Sequence, residues 1–371
     1  PTRVLAAPAT LTAGDELAGG DGVDSIEMQA TGVLDLTLPV ALAGFERLLG
    51  TSGDDTFVFD AARLAAFTSI GGGGRQDTLR LSGGGTVSLV GRSLAGIEAI
   101  VLTDAAGTAL HVTDTATALL ADAHLGAADT LIVDADLSLA ARKAIVAQGF
   151  EAIRHLSLGN VVETSVGQDA ITESTVDSAH SATWASQTLT YTRDYDLLGI
   201  DRTTDTGWHI TYSFAGGKLS SARFVDVGDV HPSIAEYGFT YVDGVPVTRE
   251  DLLDNGDVRE TTFTAGRRTA VVLRDANHDA PWASITKEYA TDGTTPLSRT
   301  VEADNRDTTR RDYVGGVLAM TTIVDVSGTH AYERSVTRYD AAGVRISTLL
   351  VMDDGDTLET TYVGGVRTEL V

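Results

Sequence analysis

Asp24-Ser25-Ile26 returns as Asp77-Thr78-Leu79 and again as Asp129-Thr130-Leu131, so the aspartates lie 53 and 52 positions apart. Each is followed by a short alternating run: Leu34-Asp35-Leu36-Thr37-Leu38, then Val87-Ser88-Leu89, then Leu137-Ser138-Leu139. Each unit closes on a similar phrase, Gly44-Phe45-Glu46, Gly96-Ile97-Glu98 and Gly149-Phe150-Glu151. Alternation with period two reads as half-buried strands, and the Gly clusters between them read as tight turns. One such coil cannot bury its apolar face alone, so neighbouring coils must stack. The reading is a stacked-coil domain over residues 1–160, of β-roll or β-helix type, built from three repeats of about 52 residues. Short helices are expected within it, from Asp60 to Phe67, from Asp114 to Leu125 and from Ala140 to Gln148, two of them opened by a capping Asp.

Residues 161–187 are rich in Ser, Thr, Glu and Asp, which predicts a linker or an irregular transition strand. From 188 to 371 a different pattern begins. Tyr or Phe precedes Gly by two to four residues at Tyr195, Phe214, Tyr241, Phe263, Tyr289, Tyr313, Tyr339 and Tyr362. Between these turns stand acidic ones: Asp226 to Asp229, Asp254 to Asp257, Asp275 to Asp279, Asp304 to Asp307, Asp325 to Gly328 and Asp353 to Asp356. Strand, Gly turn, strand, Asp turn, repeated, predicts an antiparallel β-hairpin meander. The fold class is therefore all-β.

Composition narrows the function. The 371 residues carry 27 Lys plus Arg against 52 Asp plus Glu, a net charge of −25. An acidic surface repels nucleic acid, so no nucleic-acid partner is expected. No apolar run approaches the roughly 18 residues of a membrane span. The opening Pro1-Thr2-Arg3-Val4 leads into no apolar stretch of signal-peptide type. Absence of Cys excludes disulfides, thiolate metal sites and Cys nucleophiles. The eight His are scattered without metal-ligand spacing, G-x-S-x-G does not occur, and Gly71 to Gly74 lacks the Lys-Ser/Thr of a phosphate loop. Nothing nominates a catalytic residue, and an enzyme is not expected.

Gly19-Gly20-Asp21-Gly22-Val23-Asp24-Ser25-Ile26-Glu27 fits G-G-x-G-x-D-x-U-x throughout. It resembles the repeats-in-toxin, or hemolysin-type, calcium-binding family. Gly14-Asp15-Glu16-Leu17 and Gly50-Thr51-Ser52-Gly53-Asp54-Asp55-Thr56-Phe57 are partial matches. The resemblance implies Ca²⁺ as cofactor, with Asp15, Gly19, Asp21, Gly22, Asp24, Gly53 and Asp55 at the metal. Calcium suits such sites because it takes six to eight hard oxygen ligands in tolerant geometry. Long tandem nonapeptides are missing, so one or two sites are expected instead of a ladder. The segment from Gly96 to Thr103 is similar to coils of bacterial surface-layer and large adhesin proteins. Tyr339-Asp340-Ala341-Ala342-Gly343-Val344-Arg345 resembles YD-repeat proteins, which implies hairpin repeats and no activity.

The expectation is a secreted, extracellular bacterial surface protein, structural or adhesive, stabilised by calcium. It would self-assemble or join other cell-surface components, through an unblocked strand within residues 360–371. The rivals are a glycan-binding module, resting on Tyr191, Trp208, Tyr212, Tyr241 and Trp282, and an accessory part of a secreted polysaccharide-active enzyme.

Overall fold

The computed structural model describes residues 1–126 and 128–371. The chain is all-β and divides into two compact units, Pro1–Leu197 and Leu198–Val371.

In the first unit, parallel strands stack coil upon coil. Arg3–Ala6, Ser25–Met28, Arg47–Leu49, Ser69–Gly71 and Ser93–Ala95 form one sheet. A second holds Val33–Asp35, Thr56–Phe59, Thr78–Leu81, Ala99–Leu102 and Ala121–Asp122. A third runs through Gly85–Ser88, Thr108–Val112, Thr130–Asp136 and Ala152–Ser157. Register fixes the length of a coil: Ser25 faces Arg47 and Arg47 faces Ser69, a step of 22 residues (47 − 25). The expected repeat of about 52 residues is thus corrected to coils of about 22. The triplet containing Asp24, Asp77 and Asp129 recurs at corners of different sheets, which is why its spacing is not a multiple of the coil.

Stacking in register places apolar residue on apolar residue. Ile26 lies against Leu48 and Leu48 against Ile70; Leu34, Phe57 and Leu79 form a second file. All six are essentially buried, as are Phe45, Phe59, Phe67 and Phe150. Each such side chain contributes about 1.5–3 kcal/mol relative to exposure. Three short helices interrupt the coils among the described residues. Ala61–Leu64 and Thr115–Ala118 are single turns, capped by Asp60 and Asp114, whose carboxylates accept the N–H of Arg63 and Thr117 at 2.8 Å. Leu139–Ala147 is capped by Ser138.

The corners carry the buried acids. At Asp77 the carbonyl accepts the N–H of Glu98 and Ala99 in the next coil, and its own N–H donates to the Glu98 carboxylate at 2.8 Å. The Asp77 carboxylate in turn accepts the N–H of Asp55 at 2.8 Å, and Asp55 accepts that of Gly32 at 3.1 Å. Asp24 with Glu46 and Asp129 with Glu151 repeat the device, at 2.8 and 2.7 Å. Glycine is required beside it, since a Cβ on Gly72 would overlap the Gly96 carbonyl and the Asp77 carboxylate.

The stretch 161–187 is not a linker. It contains Asn160–Val166 and Ile171–Val176 and enters Trp184–Tyr191, all antiparallel. Its polar composition hides a period of two, with Val162, Thr164, Ile171 and Glu173 buried. Glu173 pairs with Arg142 beneath Tyr191 and Tyr195, a polar plug at the end of the apolar core.

The second unit is an antiparallel meander of fifteen strands, from Leu197–Thr204 to Val366–Leu370. Four strands make one repeat: Trp208–Ala215, Val258–Thr264, Thr308–Val314 and Thr357–Val363 begin 50, 50 and 49 residues apart. Gly turns fall on one side of the sheet and Asp turns on the other. At Gly216-Gly217, Asp243-Gly244, Ala265-Gly266, Gly315-Gly316 and Gly364-Gly365 both residues have positive φ, between 49° and 81°. These are the type I′ geometry that matches strand twist. The aromatic before each turn sits at a bulge, where the register shifts at Phe214, Tyr241, Phe263, Tyr313 and Tyr362.

The buried apolar cluster of the chain ends at Tyr195. Among the described residues beyond it, only Ala222, Ile234 and Val336 are buried hydrophobics. This is a one-layer sheet, held by its ladder and by cross-strand pairs of roughly 0.2–1 kcal/mol each. Phe224 stacks on Tyr237 at 4.4 Å, and the Arg223 guanidinium clasps both oxygens of Glu236.

Asp77→Ala leaves the buried Asp55 N–H without an acceptor, which should cost about 1–3 kcal/mol in urea unfolding of the first unit. Asp77→Asn, which keeps an acceptor oxygen, should cost less. Equal stability of Asp77→Ala and the unaltered chain would show that the corner acids are dispensable.

Candidate functional site

Each residue implied for calcium has a place in the first coils. Asp24 is fully buried, its Oδ1 accepting the Thr2 N–H, while its Oδ2 has no donor. Asp55 is committed on both oxygens: Oδ1 to the Gly32 N–H, and Oδ2 to the Thr51 N–H at 2.6 Å and the Thr51 hydroxyl at 2.9 Å. Asp15 accepts the Thr12 N–H, and Asp21 is exposed. Gly19 is bonded to Ala43 and packs against Asp24, Gly22 takes φ 120°, and Gly53 donates to the Thr51 hydroxyl. The nonapeptide builds a corner whose carboxylate serves the backbone. Among the described residues, groups of three converging metal-ligand side chains occur elsewhere.

They occur in the acidic turns of the second unit. Asp226 accepts the N–H of His231 at 2.6 Å, Val230 at 2.9 Å and Gly228 at 3.2 Å. Asp275 accepts those of Ala280 at 2.9 Å and Asp279 at 3.3 Å, and Asp325 those of His330 and Thr329. The carboxylate thus takes the N–H groups four and five residues ahead, and these aspartates stand 49 and 50 residues apart. Those N–H groups hold Asp226 below the ordinary carboxylate range. Burial would raise Asp275 and Asp325, but the N–H groups outweigh it and hold both low.

Two of these turns receive a carboxylate from the acidic turn before them. Asp257, Asp275 and Asp279 bring ligand atoms within 4.8 Å of one another, as do Asp307, Asp325 and His330. Asp257 and Asp307 are equivalent in the repeat, and Gly207 stands at that place in the preceding one.

On one face of the same sheet lies an open groove of about 550 Å³, lined by Arg249, Asp251, Arg259, Arg268, Lys287 and Tyr289 among others. Asp251 is wholly buried between the Nε atoms of Arg249 and Arg259, each at 2.6 Å. The Arg268 guanidinium lies 4.0 Å from the Tyr289 ring centroid and donates to the Gly293 carbonyl. Four cationic side chains around one carboxylate form a positive site on a chain of net charge −25. Sequence reasoning missed it because these residues share no motif. Only the strand register, with Asp251 opposite Arg259 and Val271 opposite Lys287, puts them on one face.

Four of the five aromatic residues considered for sugar stacking, all but Trp282, are engaged with neighbouring rings. Trp208 meets Tyr237 edge-on at 5.5 Å, Tyr212 meets Phe224 at 5.9 Å, and Tyr241 lies beside Phe239. Tyr191 packs on Tyr195, and burial pushes its hydroxyl up to about 12.

No protein-family model matches the chain, and no curated protein matches it as a relative.

Asp77 and Asp129 in the coils respond to acid in the opposite sense to the aspartates of the hairpin turns. Hydrogen bonds from Thr295 and Thr294 bring Asp292 down to about 2, and Asp226, Asp275 and Asp325 are also depressed. A depressed carboxyl contributes stability that is present above its unfolded value and lost as pH falls through the folded one. Burial raises Asp77 and Asp129, against N–H bonds that lower them. Their contribution is present below the unfolded value and lost as pH rises through the folded one. Hydrogen exchange should therefore show the turns at Asp226, Asp275 and Asp325 losing protection as pH falls below 3.8, and the Gly turn at Asp292 losing it between 3.8 and about 2. The coils at Asp77 and Asp129 should hold in that window. Loss of both together, or of the coils first, contradicts the assignment.

Proposed function

We propose that this chain is a secreted bacterial surface protein with a structural or adhesive role, a module of a surface layer, fibre or large adhesin. One observation carries the reading. The second unit places fifteen strands of a 50-residue repeat in a single layer, with no apolar cluster behind it among the described residues. Chain length there goes into solvent-facing area: fourteen spacings of about 4.8 Å extend the sheet roughly 70 Å across its strands. A repeat of this kind is suited to spacing and display, since each strand contacts its neighbours and adds reach without a new core. The resemblance of the first coils to calcium-binding repeats, and of the hairpins to YD repeats, belongs to the same reading. No described helix is long and apolar enough to cross a membrane.

A second reading, glycan binding, is favoured by the groove around Arg268, Lys287 and Tyr289. Cations around an open groove suit an acidic sugar, its carboxylate received by Lys287 and the Arg268 guanidinium.

Two measurements separate the readings. Sedimentation and electron microscopy of the full chain should show ordered assemblies, whereas a monomer over a wide concentration range contradicts the structural role. Affinity electrophoresis in polygalacturonate should retard the chain if the groove binds acidic sugar, and Lys287→Ala with Arg268→Ala should restore its mobility. Equal mobility in polygalacturonate and in neutral dextran removes the glycan reading.

A further inference from the structure

We propose that Asp257, Asp275 and Asp279 form a Ca²⁺ site that pins two successive Asp turns of the hairpin sheet together. The inference does not depend on the surface-protein reading.

Two observations meet here. The first is convergence: one oxygen from each of the three carboxylates lies within 4.8 Å of the others. The second is an orphaned acceptor. Asp257 is only 5% exposed, and its Oδ1 is enclosed with no hydrogen-bond partner, while its Oδ2 accepts from Asn255 at 3.0 Å. A buried carboxylate oxygen without a donor carries a desolvation cost that a cation would offset.

The next repeat supplies an internal control. There the equivalent Asp307 accepts the Ser327 N–H at 2.9 Å on Oδ1, and on Oδ2 the Ser327 hydroxyl at 2.9 Å and Asn305 at 2.7 Å. Its carboxyl is held low by these donors, the Ser327 N–H first. Asn277 stands where Ser327 would be, and its amide turns to the Asn255 carbonyl and to Asp279. One turn therefore satisfies both carboxylate oxygens with protein donors, and the other leaves one without.

The donor set selects the ion. Three carboxylates with neither imidazole nor thiolate are hard oxygen ligands, which suit Ca²⁺ over Zn²⁺. Ca²⁺ also tolerates irregular geometry and completes its shell with water, which the exposed Asp279 admits. Asp257 sits between strands Val245–Leu253 and Val258–Thr264, and Asp275 and Asp279 between Arg267–Arg274 and Trp282–Tyr289. A bound ion would thus join two neighbouring turns on one side of the sheet.

Terbium is the probe, because it occupies Ca²⁺ sites and is excited through nearby tryptophan. Trp282 follows Asp279 by three residues, at most about 11 Å along the chain. The full-length protein, freed of metal by chelation, should give Trp-sensitised Tb³⁺ emission that Ca²⁺ displaces and that falls in Trp282→Phe. Asp257→Asn and Asp279→Asn should each weaken binding at least about tenfold, and Asp307→Asn should leave it unchanged. Asp279 is exposed, so its variant keeps the fold and decides the matter even if Asp257→Asn misfolds. Absence of sensitised emission at millimolar Ca²⁺-displaceable Tb³⁺, or emission indifferent to Asp279→Asn, overturns the site.

Discussion

Corners of the stacked coils, and the wide turns of the meander at Asp226, Asp275 and Asp325, leave backbone N–H groups with no strand to pair with. In both units an aspartate takes them. In the coils the carboxylate reaches back one turn of about 22 residues, as Asp77 does to the N–H of Asp55. In the meander it reaches forward four and five residues, as Asp275 does to Asp279 and Ala280. An unsatisfied buried N–H costs about 1–3 kcal/mol, so each such aspartate fixes a turn that the strand ladders alone would leave open. Much of the acidity that sets the net charge of the chain is structural in this sense. The rest of the architecture hangs from it: apolar files stack only if the corners hold register, and hairpins repeat only if the turns return the chain at a constant offset.

The two units spend these corners differently. Coils bury Ile, Leu and Phe in continuous files, so a corner acid is enclosed and its charge is opposed by burial. The one-layer sheet has no such apolar interior, and Arg across the strand pairs with its acids at Arg223–Glu236, Arg274–Glu260 and Arg310–Glu288. Exposed pairs of this kind contribute little individually. Their arrangement matters more for solubility of a sheet whose two faces are wet. The basic groove departs from this balance, which is why it stands out as a binding surface.

A good deal of this was legible in the sequence. Alternation and Gly spacing foretold strands and turns, the capping aspartates foretold helices at Asp60 and Asp114, and the Tyr/Phe-Gly phrase foretold the hairpins. The 50-residue period of the meander was also present, since Phe214, Phe263, Tyr313 and Tyr362 stand 49, 50 and 49 apart. The 22-residue coil was not, because Asp24, Glu46 and Asp55, Asp77, Glu98 alternate two acids and occupy different corners. Nor were the strands between 160 and 176, where Thr and Glu fill inward positions usually held by apolar residues. Glu173 is buried there only because Arg142 arrives from 31 positions earlier, a meeting that no local pattern encodes. The orphaned oxygen of Asp257 was equally hidden, since it lacks the backbone N–H that Ser327 gives Asp307 from the neighbouring turn.

The most direct test of the account follows the backbone amides that these carboxylates cap. In an NMR pH titration, the amide protons of Ala280, His231 and His330 should lie downfield and move together with the ionisation of Asp275, Asp226 and Asp325. Each should titrate below the ordinary aspartate value, as the depressed carboxyls require. The same amides should exchange slowly above that value. Amide shifts that ignore the titration, with exchange as fast as in an open loop, would contradict the claim that aspartate–backbone bonds set the turns of this protein.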